Sequence, residues 1–423
     1  MNTAIVLFAA LFLFFTLGVP IAFSLGMASA VALLTMGNTN LVILAQSFFQ
    51  GMNSFPYLSL PFFILAGNLM ASGGISKRLI NFASAMFGNV TGGLAIVSVI
   101  SCMFFAAVCG SAAATCAAVG AIMIPGMLEK GYDKDFSGAT ICCASASGII
   151  IPPSVPMIIY CVTVGASVGD AFIAGVIPGV IFCAALAAAA YIRSKKRGYV
   201  GGRKYSAGEK LNAFREAILP LLMPVIILGG IYGGVFTATE AAVVAVVYGL
   251  VVSVFVFREL KFSDMKRIFR ESAVMAGGLL LLIGAANLFG MVLTRERIPA
   301  LITELFLQIS TNKYLFLLIV NILFLLIGMV MESSPAIIIM APLLAPVATY
   351  FGIDLIHFGV IMIVNLAIGM ASPPFGLSLF VIVEIAKTRF INVVRNMAPY
   401  FAVLIGVLLL ITYIDKFSLL LLG

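Results

Sequence analysis

Gly148-Ile-Ile-Ile-Pro152-Pro153-Ser154-Val-Pro156 is the stretch that decides how this chain folds, and it returns as Gly369-Met-Ala-Ser372-Pro373-Pro374-Phe-Gly376. Each copy lies inside hydrophobic sequence long enough to span a bilayer, and each breaks a helix there. A glycine tolerates the left-handed turn that ends one half-helix, and a proline pair suits the first turn of the next. The break leaves carbonyls unpaired at the end of the upstream half and N–H groups unpaired at the start of the downstream half. In lipid such groups cost several kcal/mol each, so they persist only when buried in protein or lining a polar cavity. Two broken spans at corresponding places in one membrane chain point to the binding site of a secondary transporter.

The correspondence extends outward at a fixed interval of 221 residues. Pro125 pairs with Pro346, Gly131 with Gly352, Asp133 with Asp354, Gly138 with Gly359, Gly148 with Gly369, and Pro152-Pro153 with Pro373-Pro374. Seven coincidences of Gly, Pro and Asp without a register shift mark an internal duplication. Charge bears on its handedness. Residues 258–270 carry five Lys/Arg, whereas their counterparts 37–49 are uncharged. Residues 193–215 carry eight Lys/Arg against one Glu, and correspond to the chain end after Thr412, where Lys416 stands alone. Equivalent points therefore face opposite sides of the membrane, as inverted repeats require. Lys77-Arg78 and Arg295/Arg297, basic in both halves, run against that pattern.

Composition excludes the other large classes. Of 423 residues, 63% are hydrophobic and 9% are charged, which fits neither a soluble domain nor an outer-membrane barrel. The first 76 residues carry no charge. They lack the positive start and A-x-A exit of a cleaved signal, so the N-terminus is expected to be mature membrane structure. The net charge of +8 comes from loops and gives no sign of nucleic-acid binding. Cys102, Cys109, Cys116, Cys142, Cys143, Cys161 and Cys183 lie in apolar segments and read as small packing residues. With His357 as the sole histidine, no metal or redox site is expected. Tryptophan is absent, so the interfacial aromatic belt has to come from tyrosine or from a partner subunit.

The fold class expected is an all-α polytopic membrane protein with two inverted repeats, re-entrant helical hairpins and broken helices. Residues 1–192 form the first repeat: scaffold helices, a hairpin at about 104–127 and a broken helix at about 137–165. Residues 193–215 are a basic cytoplasmic linker. Residues 216–423 form the second repeat, with a hairpin at about 325–348 and a broken helix at about 358–385. Ala4–Met36 is one kinked span or two short ones, divided at Gly18-Val-Pro20, and 37–53 is an interfacial helix. Pro56–Ser72, Thr91–Cys109, Ala171–Ile192, Ala217–Val235, Thr239–Phe257, Met275–Leu293, Tyr314–Met331 and Ala398–Tyr413 supply the other spans. The tiny residues of Gly110-Ser111-Ala-Ala-Ala-Thr115-Cys-Ala-Ala-Val-Gly120 are too weakly hydrophobic for a lipid-facing span. They suit a hairpin tip buried in protein, or else a close small-residue helix contact.

The candidate site follows from these breaks. Ser111 of the first tip pairs with Glu332 of Met331-Glu332-Ser333-Ser334-Pro335. A glutamate in an apolar hairpin costs about 2.5–3.5 kcal/mol on insertion scales, so it is a functional candidate that neutralises a cation or holds a proton. The alternative is a carboxylate satisfied by N–H groups of its own tip. Hairpin tip plus helix break gathers hydroxyl and backbone oxygens, as a hard monovalent cation wants. Gly110, Ser111, Ser147, Gly148 and Ile151 frame one cation site. Glu332, Ser333, Gly369, Ala371 and Ser372 frame its twin. The half-helix starts at Pro152 and Pro373 aim partial positive charge at a shared centre, which favours an anion, with Ser154 and Thr115 as further substrate candidates.

Several of these segments carry a family resemblance. Gly110-Ser-Ala-Ala-Ala-Thr115, Ser147 to Tyr160, Gly175-Val-Ile-Pro-Gly179, Gly234-Val-Phe-Thr-Ala-Thr-Glu-Ala-Ala242 and Asn365 to Gly376 resemble the large membrane (M) subunit of tripartite ATP-independent periplasmic (TRAP) transporters, the DctM-like family. The resemblance covers essentially the whole chain. It departs at Ser372, where the family usually has Thr, and at Ala238, where Pro is usual; serine keeps the hydroxyl. The resemblance implies an elevator-type motion of hairpins and broken helices against a scaffold in the bacterial inner membrane. It also implies a small membrane (Q) subunit and a periplasmic substrate-binding (P) protein as partners, and Na+ as coupling ion with no other cofactor. Organic-acid anions are the implied substrates, of the sialic acid or C4-dicarboxylate type, sialic acid being the expectation among these. The absence of a G-x-x-x-x-G-K-[ST] loop agrees with transport not driven by ATP.

Rival classes fit less well. A channel wants a continuous polar pore, a hydrolase wants a nucleophile with its base or an H-E-x-x-H set, and a mere scaffold has no use for Glu332 and two breaks in lipid. The nearest rival is a proton-coupled organic-anion transporter of the same architecture, working without a binding protein. Outside the site, Glu240 reads as the acidic partner of a threonine helix cap. His357 reads as solvent-facing or interfacial, and Arg295 and Arg297 as membrane-edge anchors.

Overall fold

Gly18 takes a left-handed φ of 74° and splits the N-terminal apolar run in two, giving α1 (Asn2–Thr16) and α2 (Ile21–Thr35). The computed structural model describes residues 2–36, 42–309 and 311–422. Residues 37–41 of the expected interfacial helix lie outside that set, and Val42–Met52 forms α3. A 3-10 turn at Phe55–Leu58 runs into α4 (Ser59–Ser72). Left-handed Gly74 then opens α5 (Ile75–Phe87), which buries Ile75, Leu79, Ile80 and Ala83 on one face and exposes Lys77 on the other.

Two limbs, α6 (Gly93–Cys109) and α7 (Ala112–Glu129), make the first hairpin; α8 (Lys134–Ser145) and α9 (Val155–Val164) are the halves of the first broken span. After them come α10 (Val168–Lys196), α11 (Ala207–Tyr232), α12 (Ala238–Val251), α13 (Phe262–Arg295) and α14 (Ile298–Ile309). The second hairpin is α15 (Lys313–Val330) with α16 (Ser333–Tyr350), and the second broken span is α17 (Leu355–Ala371) with α18 (Leu377–Ala386). The chain closes with α19 (Phe390–Tyr413) and the short α20 (Lys416–Leu419). Among the described residues every regular element is helical, and nine helices are long and apolar enough to cross a membrane.

The duplication reaches down to the caps. α7 begins at Ala112 and α16 at Ser333; α8 begins at Lys134 and α17 at Leu355, each pair at the same spacing read from the sequence. Asp133 and Asp354 cap their helices by accepting from backbone N–H groups at 2.8 Å, just after left-handed Gly131 and Gly352.

Contacts between loops fix the handedness. The Asp133 N–H donates to the Tyr199 hydroxyl at 3.0 Å, and Gly92 N–H donates to the Tyr199 carbonyl at 3.2 Å, so both ends of the first hairpin lie beside the 197–206 linker. From Asp133 the broken span crosses once and α10 returns to Arg197, 3.4 Å from the Asp133 carboxylate. α11, α12 and α13 add three crossings, and the α15–α16 hairpin leaves and returns on the far side, which puts Asp354 opposite Asp133. The turn into α19 confirms this: Thr388 bonds Asp135, and Arg193 donates to the Asn396 carbonyl at 2.5 Å, both at the linker side. The two repeats are therefore inverted. Every Lys and Arg except Arg295, Arg297, Lys313 and Lys416 falls at the linker end, which the positive-inside rule makes cytoplasmic.

Three expectations need correction. The basic 258–270 segment, whose charges the composition assigns to loops, is mostly helix, because α13 starts at Phe262 with the Lys261 N–H donating to the Asp264 carboxylate. α10 runs on to Lys196 and a Ser206–Glu209 capping box starts α11, leaving only 197–206 of the expected linker outside helices. His357 is not solvent-facing. α17 is buried on all sides from Ile356 to Ala371, and the His357 ring nitrogen Nε2 sits 3.3 Å from the Thr412 carbonyl. In the same helix Asn365 donates to Asn321 at 2.7 Å, and Asn321 to Thr412 at 3.1 Å. Such cross-helix bonds contribute about 0.6–2 kcal/mol each.

The Glu240 reading holds. Thr237 caps α12, and its N–H and hydroxyl both donate to the Glu240 carboxylate at 2.8 Å. All seven cysteines are free and buried. Labelling of intact membranes with a charged maleimide is expected to spare Cys102, Cys116, Cys142, Cys143 and Cys183, which touch no cavity, and to reach at most Cys109 and Cys161, which line one, whereas unfolding in detergent exposes all seven; modification of the first five before unfolding would contradict this packing.

Candidate substrate and cation site

Each break is shaped by a close approach of backbone. α8 ends in a 3-10 turn over Ala146–Ile149, and Ser154 caps α9, its hydroxyl donating to the Ile149 carbonyl at 2.6 Å. The Pro152–Pro153 and Pro373–Pro374 bonds are both cis. A Cβ on Gly148 would meet the Ser111 carbonyl oxygen at 2.6 Å and Thr115 Oγ1 at 2.8 Å, and one on Gly110 would meet the Pro153 carbonyl at 2.6 Å. Only glycine allows the first tip to sit on the first break. Gly110, Ser111, Thr115 and Gly148 thus come together, with Thr115 Oγ1 donating to the Ser111 carbonyl at 2.8 Å. Ser147 donates to the Ala144 carbonyl and Ile151 is buried against Gly179.

The second break is built likewise, one step back along its hairpin. A Cβ on Gly369 would lie 2.6 Å from Gly328 Cα, so α15 and α17 cross backbone to backbone. Phe375 N–H donates to the Met329 carbonyl at 3.2 Å, and Ser372 Oγ to the Ile368 carbonyl at 2.7 Å. Ala371 is fully buried. Glu332 caps α16 in position but accepts no bond from its own tip, and among the described residues its exposed carboxylate has no hydrogen-bond partner.

Both tips open on one central cavity of about 340 Å³. Its walls include the first turns of α7, α9 and α16, through Ser111, Val155 and Pro156, and Glu332 with Ser333. Three helix N-termini therefore turn partial positive charge toward the same space, an environment that suits an anion. Carbonyl and hydroxyl oxygens of the tips lie at its edge and suit a small cation. Gly110, Ser111, Glu332 and Ser333 line the cavity, whereas Ser147, Gly148, Ile151, Ser154, Thr115, Pro152, Gly369, Ala371, Ser372 and Pro373 are not among its lining residues.

The opposite wall was not foreseen. It comes from Ile64 and Asn68 of α4 and from Val274, Met275, Gly278, Leu279 and Leu282 of α13. Asn68 donates to Ser272 at 2.9 Å and ties the two helices together. A lone asparagine in the apolar Pro56–Ser72 run and the Gly277-Gly278 pair were the only signals for it. A separate cavity of about 590 Å³ lies toward the far side, lined by Asn287, Arg295 and Pro342 among others, and shares no lining residue with the central one.

Residues 8–417 match the family described as the tripartite ATP-independent periplasmic transporter, DctM component. The chain belongs to that family. It is 40% identical to the C4-dicarboxylate TRAP transporter large permease protein DctM of Rhodobacter capsulatus, over 99% of this chain and 98% of that protein. It is 37% identical to the sialic acid TRAP transporter large permease protein SiaM of Vibrio cholerae, over 96% and 95%. To the isethionate TRAP transporter permease protein DctMQ of Oleidesulfovibrio alaskensis it is 42% identical over 97% of its length, and it spans 65% of that longer protein. The crystal structure of the Alcanivorax borkumensis YdaH transporter shares the fold, with a TM-score of 0.65 at 15% identity over 88% of each chain. As a DctM-family protein the chain is a multi-pass permease of the inner membrane, and its relatives are transport subunits, not enzymes.

Proposed function

We propose that this permease imports organic-acid anions, of the C4-dicarboxylate or sialic acid type, coupled to Na+ and working with a small Q subunit and a periplasmic binding protein. The observation that carries it is the central cavity, where three helix N-termini and two oxygen-rich hairpin tips converge. The names of relatives support the substrate class, and the fused DctMQ relative supports a Q partner.

Which surfaces are welded and which are not supports an elevator motion. Hairpins and broken helices interlock across the repeats: Cys116 bonds the Ser378 carbonyl, Tyr160 bonds the Leu355 carbonyl at 2.7 Å, and Gly120 packs on Ile382. On the other side α4 and α12 lock at Gly249 against Met70. The cavity lies between these two bodies, so one slides past the other and carries the site with it. Energetics allow it. Each Na+ entering down 100 mV and a tenfold gradient releases about 3.7 kcal/mol, against about 2.3 kcal/mol to import a monoanion against the potential.

The test is uptake of succinate and of sialic acid into proteoliposomes holding the complex with its binding protein. An inward sodium gradient is expected to raise uptake by about tenfold or more over sodium-free conditions. Uptake that ignores sodium would sink the reading. The partnerless Glu332 carboxylate favours one second reading, coupling to protons without a binding protein. It predicts uptake that follows a pH gradient in sodium-free buffer and loses that coupling in Glu332→Gln, whereas the sodium reading predicts Glu332→Gln to weaken sodium activation and leave no pH coupling to lose.

A further inference from the structure

One face of α13 runs without interruption from the cytoplasmic edge to the central cavity. Its inner part, Val274, Met275, Gly278, Leu279 and Leu282, is apolar and walls the site. Its outer part, Ser263, Lys266, Arg267, Arg270 and Glu271, lines a second cavity of about 710 Å³. These residues recur at three- and four-residue steps, so they share one side of the helix. The two cavities meet: Asn68, Val274 and Met275 line both. The site thus communicates toward the side that carries the 197–206 linker.

We propose that this outer face of α13 is a cytoplasmic exit vestibule that concentrates carboxylate anions at the mouth of the central cavity. Three cations stand there against the single carboxylate of Glu271, and Arg267 approaches that carboxylate at 3.8 Å. Both partners of this pair are more than half exposed, so the pairing leaves the cationic field largely intact. Among the described residues Asn68 is the lining residue contributed by another element, and it is uncharged. A recess of net positive charge with low-dielectric walls raises the local concentration of anions, by about tenfold where the field is focused. An anion released between the hairpin tips meets no positive charge on the apolar inner wall and finds it at the outer turns. The field draws it outward. The inference rests on the anion-transport reading, but its test does not.

That test places a thiol in the passage. Gly278 lines the central cavity, and a side chain there meets open space, so Gly278→Cys is accommodated. In inverted membrane vesicles holding the full chain, the reaction rates of an anionic and a cationic methanethiosulfonate are measured, each normalised to a free thiol. The ratio is expected to favour the anionic reagent and to fall about tenfold when Lys266→Gln, Arg267→Gln and Arg270→Gln are combined. Added salt lowers it, Arg267→Lys with Arg270→Lys preserves it, and Glu271→Gln raises it. The single Arg270→Gln change shifts it the same way if the triple variant inserts poorly. A ratio indifferent to these charges overturns the vestibule and leaves the residues as topological anchors only. Absence of sodium-driven uptake with the charge-dependent ratio intact would instead remove the functional reading and leave the vestibule.

Discussion

Gly148→Ala is expected to weaken sodium activation of uptake by at least about tenfold, equivalent to 1.4 kcal/mol of ion binding. The new Cβ would fall 2.6 Å from the Ser111 carbonyl and 2.8 Å from Thr115 Oγ1, and the nearest of these is backbone that cannot rotate away. The hairpin tip has to retreat, and with it the oxygens offered to a cation. Overpacking of this kind also costs about 1–3 kcal/mol of stability. Gly406→Ala is the control: its Cβ meets nothing within 4 Å in mid-helix, so stability is expected to hold or rise and uptake to stay unchanged. Sodium titrations of uptake with thermal melting of both variants check this. Equal sodium dependence in Gly148→Ala and the parent would remove the first break from the ion site.

The second large effect belongs to the other repeat. A Cβ on Gly369 would lie 2.6 Å from Gly328 Cα and 2.7 Å from its carbonyl carbon, while one on Gly328 would lie 3.1 Å from Gly369 Cα. The first contact is forbidden and the second is merely tight. Gly369→Ala is therefore expected to lose about 1–3 kcal/mol of stability and most uptake, and Gly328→Ala distinctly less of both. Small residues at helix crossings in lipid act through close approach, so the order of the two is diagnostic. Melting temperatures in detergent and uptake in proteoliposomes give that order. A reversed order would mean that α15 and α17 cross differently.

How much of this was legible beforehand depended on the kind of signal. Helix breaks at Gly148 and Gly369, the hairpin tip at Ser111 and the repeat itself announce themselves, because glycine, proline and small polar residues in apolar runs have few other uses. The wall across from the tips did not, since Val274, Leu279 and Leu282 differ in nothing from ordinary lipid-facing residues. α5 and the first turns of α13 were hidden for another reason. Their cations read as loop, whereas a helix with one apolar face carries them at the membrane edge. His357 misled because its place beside a turn suggested water. The enclosure of α17 on every side is a property of packing that no local pattern displays.

One feature of the N-terminal region bears on how the protein is made. The first charges in the chain, Lys77 and Arg78, sit on α5, after α1, α2 and α4 have already been synthesised. Lysine and arginine near the ends of hydrophobic segments are what tell the insertion machinery which way a helix should face. Residues 1–76 carry none of that signal themselves. Within residues 1–78 the α5 pair is the nearest such signal, so moving those two charges to the other end of α4 is the change that bears most on how α1, α2 and α4 face.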